Sequence, residues 1–147
     1  MICKLTNFDS QTSRIAQLRD LIYLLTDDLR EMLQQDDPYA RPYVNTVFDQ
    51  TIEYLKELVR LEEDPVYLEP VFEAAPYWSA RIEQLRSEHD SFVDSLSTLA
   101  ERAATEPVTY RLLAQELERW KHKFLDHNKR EADLLLESQF VDIGVGD

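Results

Sequence analysis

The sequence predicts an all-α protein, an antiparallel up-down bundle of four helices, and three observations carry that prediction. Glycine is almost absent, prolines cut the chain into four blocks, and each block repeats apolar residues at spacings of three and four. At average usage near 7%, a chain of this length would carry about ten glycines. Only Gly144 and Gly146 occur, both among the last four of 147 residues. Hairpin turns lean on glycine, so an antiparallel β protein is disfavoured. Phosphate-cradling loops and dinucleotide fingerprints need several glycines between a strand and a helix. Residues 1–143 have none, which excludes P-loop and Rossmann chemistry.

The first helix is expected over about residues 11–34, with Asp9 or Ser10 as its cap. Asp36-Asp37-Pro38 and Arg41-Pro42 read as the turn that ends it. Its inward seam is Ile15, Leu18, Ile22, Leu25, Leu29 and Met32. The second helix covers about 43–63 and stops at Asp64-Pro65; its seam is Val44, Phe48, Thr51, Leu55, Leu58 and Glu62. Val66 to Ala75, with Pro70 inside it, reads as a longer connection. The third helix runs from Pro76 to about Arg102, with Ile82, Leu85, His89, Phe92, Leu96 and Leu99 facing in. Ala103 to Pro107 is a short link in which Thr105 or Glu106 serves as a cap. The fourth helix spans about 107–136 along Leu113, Leu117, Trp120, Phe124, His127, Glu131 and Leu134. Residues 137–147 are a tail that docks on the bundle end or meets a partner. Short links imply antiparallel neighbours, and the whole of 1–147 is read as one domain.

The halves of the chain repeat. Residues 14–29 slide by 67 onto 81–96 with seven of sixteen positions identical, among them Arg14/Arg81, Leu18/Leu85 and Arg19/Arg86. The second and fourth helices align at an offset of 69, which sets Glu62 on Glu131 and Leu55 on Phe124. This predicts two related helix pairs. The mismatches are informative: His89 stands on Ile22, and His127 on Leu58.

Four seam positions carry ionisable groups: Glu62, His89, His127 and Glu131. His127 and Glu131 are four apart, on one helix face a single turn from each other. A buried carboxylate without a partner loses several kcal/mol of solvation, and a divalent cation is an effective compensating charge. Two imidazoles and two carboxylates converging in a bundle core suit iron, manganese or zinc. The same four residues also suit an inert polar core, with His127 paired to Glu131 and His89 to Glu62.

The pattern Leu85-x-x-Glu88-His89-x-x-Phe92, followed by Phe124-x-x-His127-x-x-x-Glu131-x-x-Leu134-Leu135, resembles the second half of hemerythrin-like (HHE cation-binding) domains. So does the passage from Glu62-Glu63 through Pro65, Pro70 and Pro76, and the resemblance covers about residues 13–137. It implies a histidine on the first and third helices, and an H-x-x-x-E pair on the second and fourth, holding a di-iron centre bridged by two glutamates. Carried over residue by residue, His89, His127, Glu131 and Glu62 match, whereas the remaining two histidines are Ile22 and Leu58. Aliphatic side chains cannot ligate. The resemblance therefore implies a reduced ligand set, a mononuclear or incomplete di-iron site, with iron the foremost ion. It also implies O2, NO or peroxide handling or iron sensing.

The net charge of −13, from 29 acidic and 16 basic residues, opposes binding to nucleic acid or an anionic membrane. The lone Cys3 excludes an internal disulfide framework, no apolar run approaches a spanning helix, and the expected compartment is the cytoplasm. His122, among Lys121, Lys123, Lys129 and Arg130, reads as part of a solvated outer face; Asp27 and Asp28 lie off the seam. Ser91 and Ser95 are expected to face solvent, and Trp78 and Trp120 to pack. Three functional readings follow. The first is a metal-binding protein with a small diatomic ligand, and the second a metal-free bundle serving as an interaction or regulatory module, with a protein partner or a homodimer. The third, a metal-dependent enzyme, ranks last, since no positioned acid–base group stands outside the four.

Overall fold

The computed structural model describes residues 2–74, 76–106 and 109–145, with side chains placed for 10–74, 76–106 and 109–140. Among these the chain is helical, without strands: α1 (Ile2–Gln35), α2 (Arg41–Glu62), α3 (Pro65–Glu73), α4 (Ser79–Thr105) and α5 (Tyr110–Val145). The long helices form a ring of neighbours in which α1 touches α2 and α5, and α4 touches α2 and α5. Side-chain contacts between α4 and α5 run in opposite sense, from Arg102–Glu116 through His127–Glu88 to Arg81–Glu137. So do those between α1 and α5, from Arg30–Glu118 to Arg19–Glu131. No helix among the described residues is long and apolar enough to cross a membrane.

The seams of α2, α4 and α5 bury the residues that the spacing picks out, Val44 to Glu62, Ile82 to Leu99, and Leu113 to Leu134. In α1 the seam departs halfway along. Thr26 and Leu33 are buried at 1% and 0% exposure, while Leu25 and Met32 are only half-buried. The observed series Ile15, Leu18, Ile22, Thr26, Leu29, Leu33 follows the 3.6-residue period of a straight helix, which the strict alternation of three and four does not. Thr26 enters the core because its hydroxyl donates back to the Ile22 carbonyl at 2.8 Å, leaving only its methyl to pack.

Several boundaries differ from the sequence expectation, and α4, expected from Pro76, begins at Ser79 after a turn. The α1 helix begins at Ile2, so Asp9 and Ser10 lie within it and do not cap it. Thr105 closes α4 and Glu106 is its C-cap, so neither caps the start of α5, while Pro107 lies outside the described residues. The tail is the continuation of α5 to Val145, because no breaker separates Leu136 from Gly144.

The connection after α2 is itself a helix. Asp64 caps α3 by accepting from the Val66 N–H at 2.9 Å, and Pro65 occupies its first turn, where no N–H is needed. Pro70 forfeits one helical hydrogen bond, and burial of Tyr67, Leu68 and Val71 against the bundle offsets that cost. With no glycine available, Asp36 takes the left-handed position of the α1–α2 turn at φ 47° and accepts from Arg41 Nε at 2.9 Å.

Candidate metal centre

Glu62 ends α2, His89 sits mid-way along α4, and His127 and Glu131 share one face of α5. All four are at most 4% exposed. Each offers one ligand atom, and these atoms lie within 4.8 Å of one another. The rings of His89 and His127 meet edge to face with centroids 5.0 Å apart. His89 Nε2 lies 3.0 Å from Glu62 Oε2, and His127 Nε2 lies 3.3 Å from Glu131 Oε2. Neither contact is aligned as a hydrogen bond. His89 Nε2, His127 Nε2 and Glu131 Oε2 are thus buried together without hydrogen-bond partners. Buried orphan atoms are costly, and three aimed at one point call for a common partner.

The outward nitrogens are satisfied. His89 Nδ1 lies 3.1 Å from Glu63 Oε1, and His127 Nδ1 lies 3.0 Å from Glu88 Oε1. A carboxylate only accepts, so each Nδ1 carries the proton and donates it; in the neutral ring Nε2 then turns its lone pair inward. A carboxylate behind an imidazole is the usual support of a histidine ligand, fixing tautomer and ring orientation. Arg130 grips both oxygens of Glu88, at 2.6 and 2.9 Å. With His127 adding to that grip, Arg130 holds the Glu88 carboxyl down at about 2. Arg130, expected on a solvated basic face, is 39% exposed there and in addition grips Glu88. Lys121 of that face pairs with Asp27, whereas His122 stays 71% exposed beside Glu118.

The inner charges are strongly coupled. Burial opposes the charged form of Glu62, but His89 and Arg19 outweigh it and lower its pKa. Burial and the charge of Glu62 raise Glu131. Burial lowers His89, yet the adjacent Glu62, with Glu63 and Glu131, lifts it to about 9. In the metal-free protein near neutral pH, His89 thus favours its protonated form, 3.0 Å from Glu62.

Sequence reasoning missed four contributors. Arg19 of α1 places Nη2 at 2.8 Å from Glu62 Oε1 and 3.2 Å from Glu131 Oε1. Tyr67, on the helix read as a connection, is buried with its hydroxyl 3.5 Å from Arg19 Nη2; burial and the charge of Glu131 raise its pKa. Glu63 and Glu88 are the outer partners already described. Position alone supplied a signal for three of them: Glu63 and Glu88 adjoin proposed ligands, and Arg19 repeats as Arg86.

The surroundings are apolar. Phe92 packs edge-on to His127 at 5.2 Å and to Phe124 at 5.6 Å. Trp120 stacks on Phe124 and donates Nε1–H to the Phe92 carbonyl at 3.1 Å. Trp78 is half-buried against the core, and Ser91 and Ser95 face solvent. Leu68, Ile82, Leu85 and Leu134, with Arg86, wall a cavity of about 10 Å³ that adjoins Glu62, His89 and Glu131, the lower limit for one water. The positions expected for two further ligands hold Ile22 and Leu58, each at most 1% exposed within the core.

A family model described as the hemerythrin HHE cation binding domain matches residues 16–137. No curated protein and no solved structure matches the chain.

Proposed function

Because the chain belongs to the hemerythrin HHE cation-binding family, we propose that it binds one divalent metal ion, foremost iron, through Glu62, His89, His127 and Glu131. The reading includes an antiparallel up-down four-helix bundle made of two related helix pairs, α1–α2 and α4–α5, with α3 closing the site. The observation that carries it is the convergence of three unpartnered buried ligand atoms with Glu62, all within 4.8 Å. Two imidazole nitrogens and two carboxylate oxygens are a donor set that suits Fe, Mn and Zn. Ile22 and Leu58 remove the donors that a second ion would need, so a mononuclear site fits better than a di-iron one.

A redox metal held there supplies one-electron chemistry and affinity for small ligands such as O2 or NO. The chain's own residues do the rest. Glu63 and Glu88 hold the Nδ1 protons and keep both Nε2 lone pairs inward. Arg19 holds both carboxylates, while the apolar walls exclude bulk water. The expected setting is the cytoplasm, consistent with the single cysteine.

One observation favours a second reading, a metal-free bundle serving as an interaction module. Arg19 already supplies a positive charge to both carboxylates. Elemental analysis of untagged protein for iron, manganese and zinc, before and after loading with Fe(II), separates the two. A stoichiometry near one supports the metal centre, and less than about 0.1 per chain after loading overturns it, since built sites bind tightly.

A further inference from the structure

The oxygens of the carboxylate pair are divided between two sides. Glu62 and Glu131 each turn Oε1 to the same nitrogen, Nη2 of Arg19. Each turns Oε2 toward the imidazoles: Glu62 Oε2 lies 3.0 Å from His89 Nε2 and 4.0 Å from His127 Nε2, and Glu131 Oε2 lies 3.3 Å from His127 Nε2. One side of the pair is therefore filled by a permanent cation, and the other gathers the unpartnered atoms of His89, His127 and Glu131. We infer that Arg19 is the specificity-determining residue of the centre: its guanidinium stands where a second cation would bridge Glu62 and Glu131, and it limits the centre to one divalent ion. The inference rests on the metal-binding reading above.

The physical reason is charge and donor supply. Arg19 cannot be deprotonated in a protein, so its charge is constant at every working pH. With two carboxylates it leaves one net negative charge, which a single divalent ion already exceeds. A second ion would face both that ion and the guanidinium across a few ångströms of low-dielectric core. The Arg19 side also lacks ligands. Ile22 lies one turn along from Arg19 and Leu58 one turn before Glu62, both aliphatic and fully buried. A guanidinium needs only acceptors, and here Nη2 alone meets Glu62, Glu131 and, at 3.5 Å, the Tyr67 hydroxyl, while Nε is buried without one.

Zn2+ titration of metal-free wild type, R19Q and R19K, read by calorimetry and elemental analysis, tests this. The glutamine amide of R19Q still donates an N–H to a carboxylate but carries no charge, whereas R19K keeps the charge. Wild type should saturate at one Zn2+ per chain even in excess; two would overturn the inference without any variant. R19Q should bind at least tenfold tighter and R19K within threefold of wild type. Affinity unchanged or weaker in R19Q would overturn the role of Arg19 and leave the metal centre standing. Binding by R19Q alone would support Arg19 as occupant of the cation's place and overturn metal binding by the native chain. No Zn2+ or Fe2+ on any of the three would overturn both. If R19Q folds only with Zn2+ present, its larger Tm rise on loading reads the same effect; an equal rise contradicts it.

Discussion

Glu88 stands directly behind His127, its Oε1 3.0 Å from Nδ1, and the same carboxylate is clamped by Arg130 from the far side. This chain of three residues fixes which nitrogen of His127 faces the core. Replacing Glu88 by Ala frees the ring to exchange tautomers, and Zn2+ affinity should fall about 10–100-fold. The equivalent loss at Glu63 should be smaller, because Glu63 is 41% exposed and water can replace it. A competition titration against a chromophoric chelator ranks the two. Equal effects would show that exposure does not matter there.

His127→Ala removes a ligand and a buried ring that packs on Phe92. Metal binding should vanish, and the metal-free protein should lose about 1–3 kcal/mol in urea denaturation. If the residue served only the packing of an inert core, wild-type and variant metal contents would be the same.

Ile22→Ala and Leu58→Ala should each cost about 2–5 kcal/mol by leaving a cavity in a dense core, with metal stoichiometry unchanged. A change in stoichiometry would mean that these aliphatic residues control the site by more than filling space.

The folded-state pKa of His89, about 9, lies above its ordinary 6.5. A raised pKa stabilises the metal-free fold fully below pH 6.5, and that contribution is lost as pH rises through 9. The urea-denaturation stability of metal-free protein should fall by an amount on the order of a few kcal/mol between about pH 6 and pH 9.5. His89→Gln should flatten the profile. Metal competes with the same proton, so Zn2+ affinity should rise with pH over this window. A Zn2+ affinity independent of pH would exclude His89 as a ligand.

Much of this arrangement is legible in the sequence itself. Spacings of three and four place Glu62, His89, His127 and Glu131 on seams, and helix geometry alone puts His127 and Glu131 together. The α1 seam is harder to read because Leu25 and Thr26 are adjacent, and hydrophobicity favours the wrong one; the Thr26 hydroxyl is hidden by its bond to Ile22. Pro70 disguises α3, and Tyr67 is lost with it. Arg19, Glu63 and Glu88 look like surface charges in a chain that is 31% charged. Adjacency to Glu62 and His89 and the Arg19/Arg86 repeat mark their positions, but their roles depend on what faces them across the bundle.

One metal ion per chain at the four buried residues is tested most directly by iron retention. Untagged protein, stripped, loaded anaerobically with Fe(II), desalted and submitted to elemental analysis, should retain about one iron, and His127→Ala none. Retention below about 0.1 in the wild type would contradict a metal centre, and retention near two would contradict its mononuclear form.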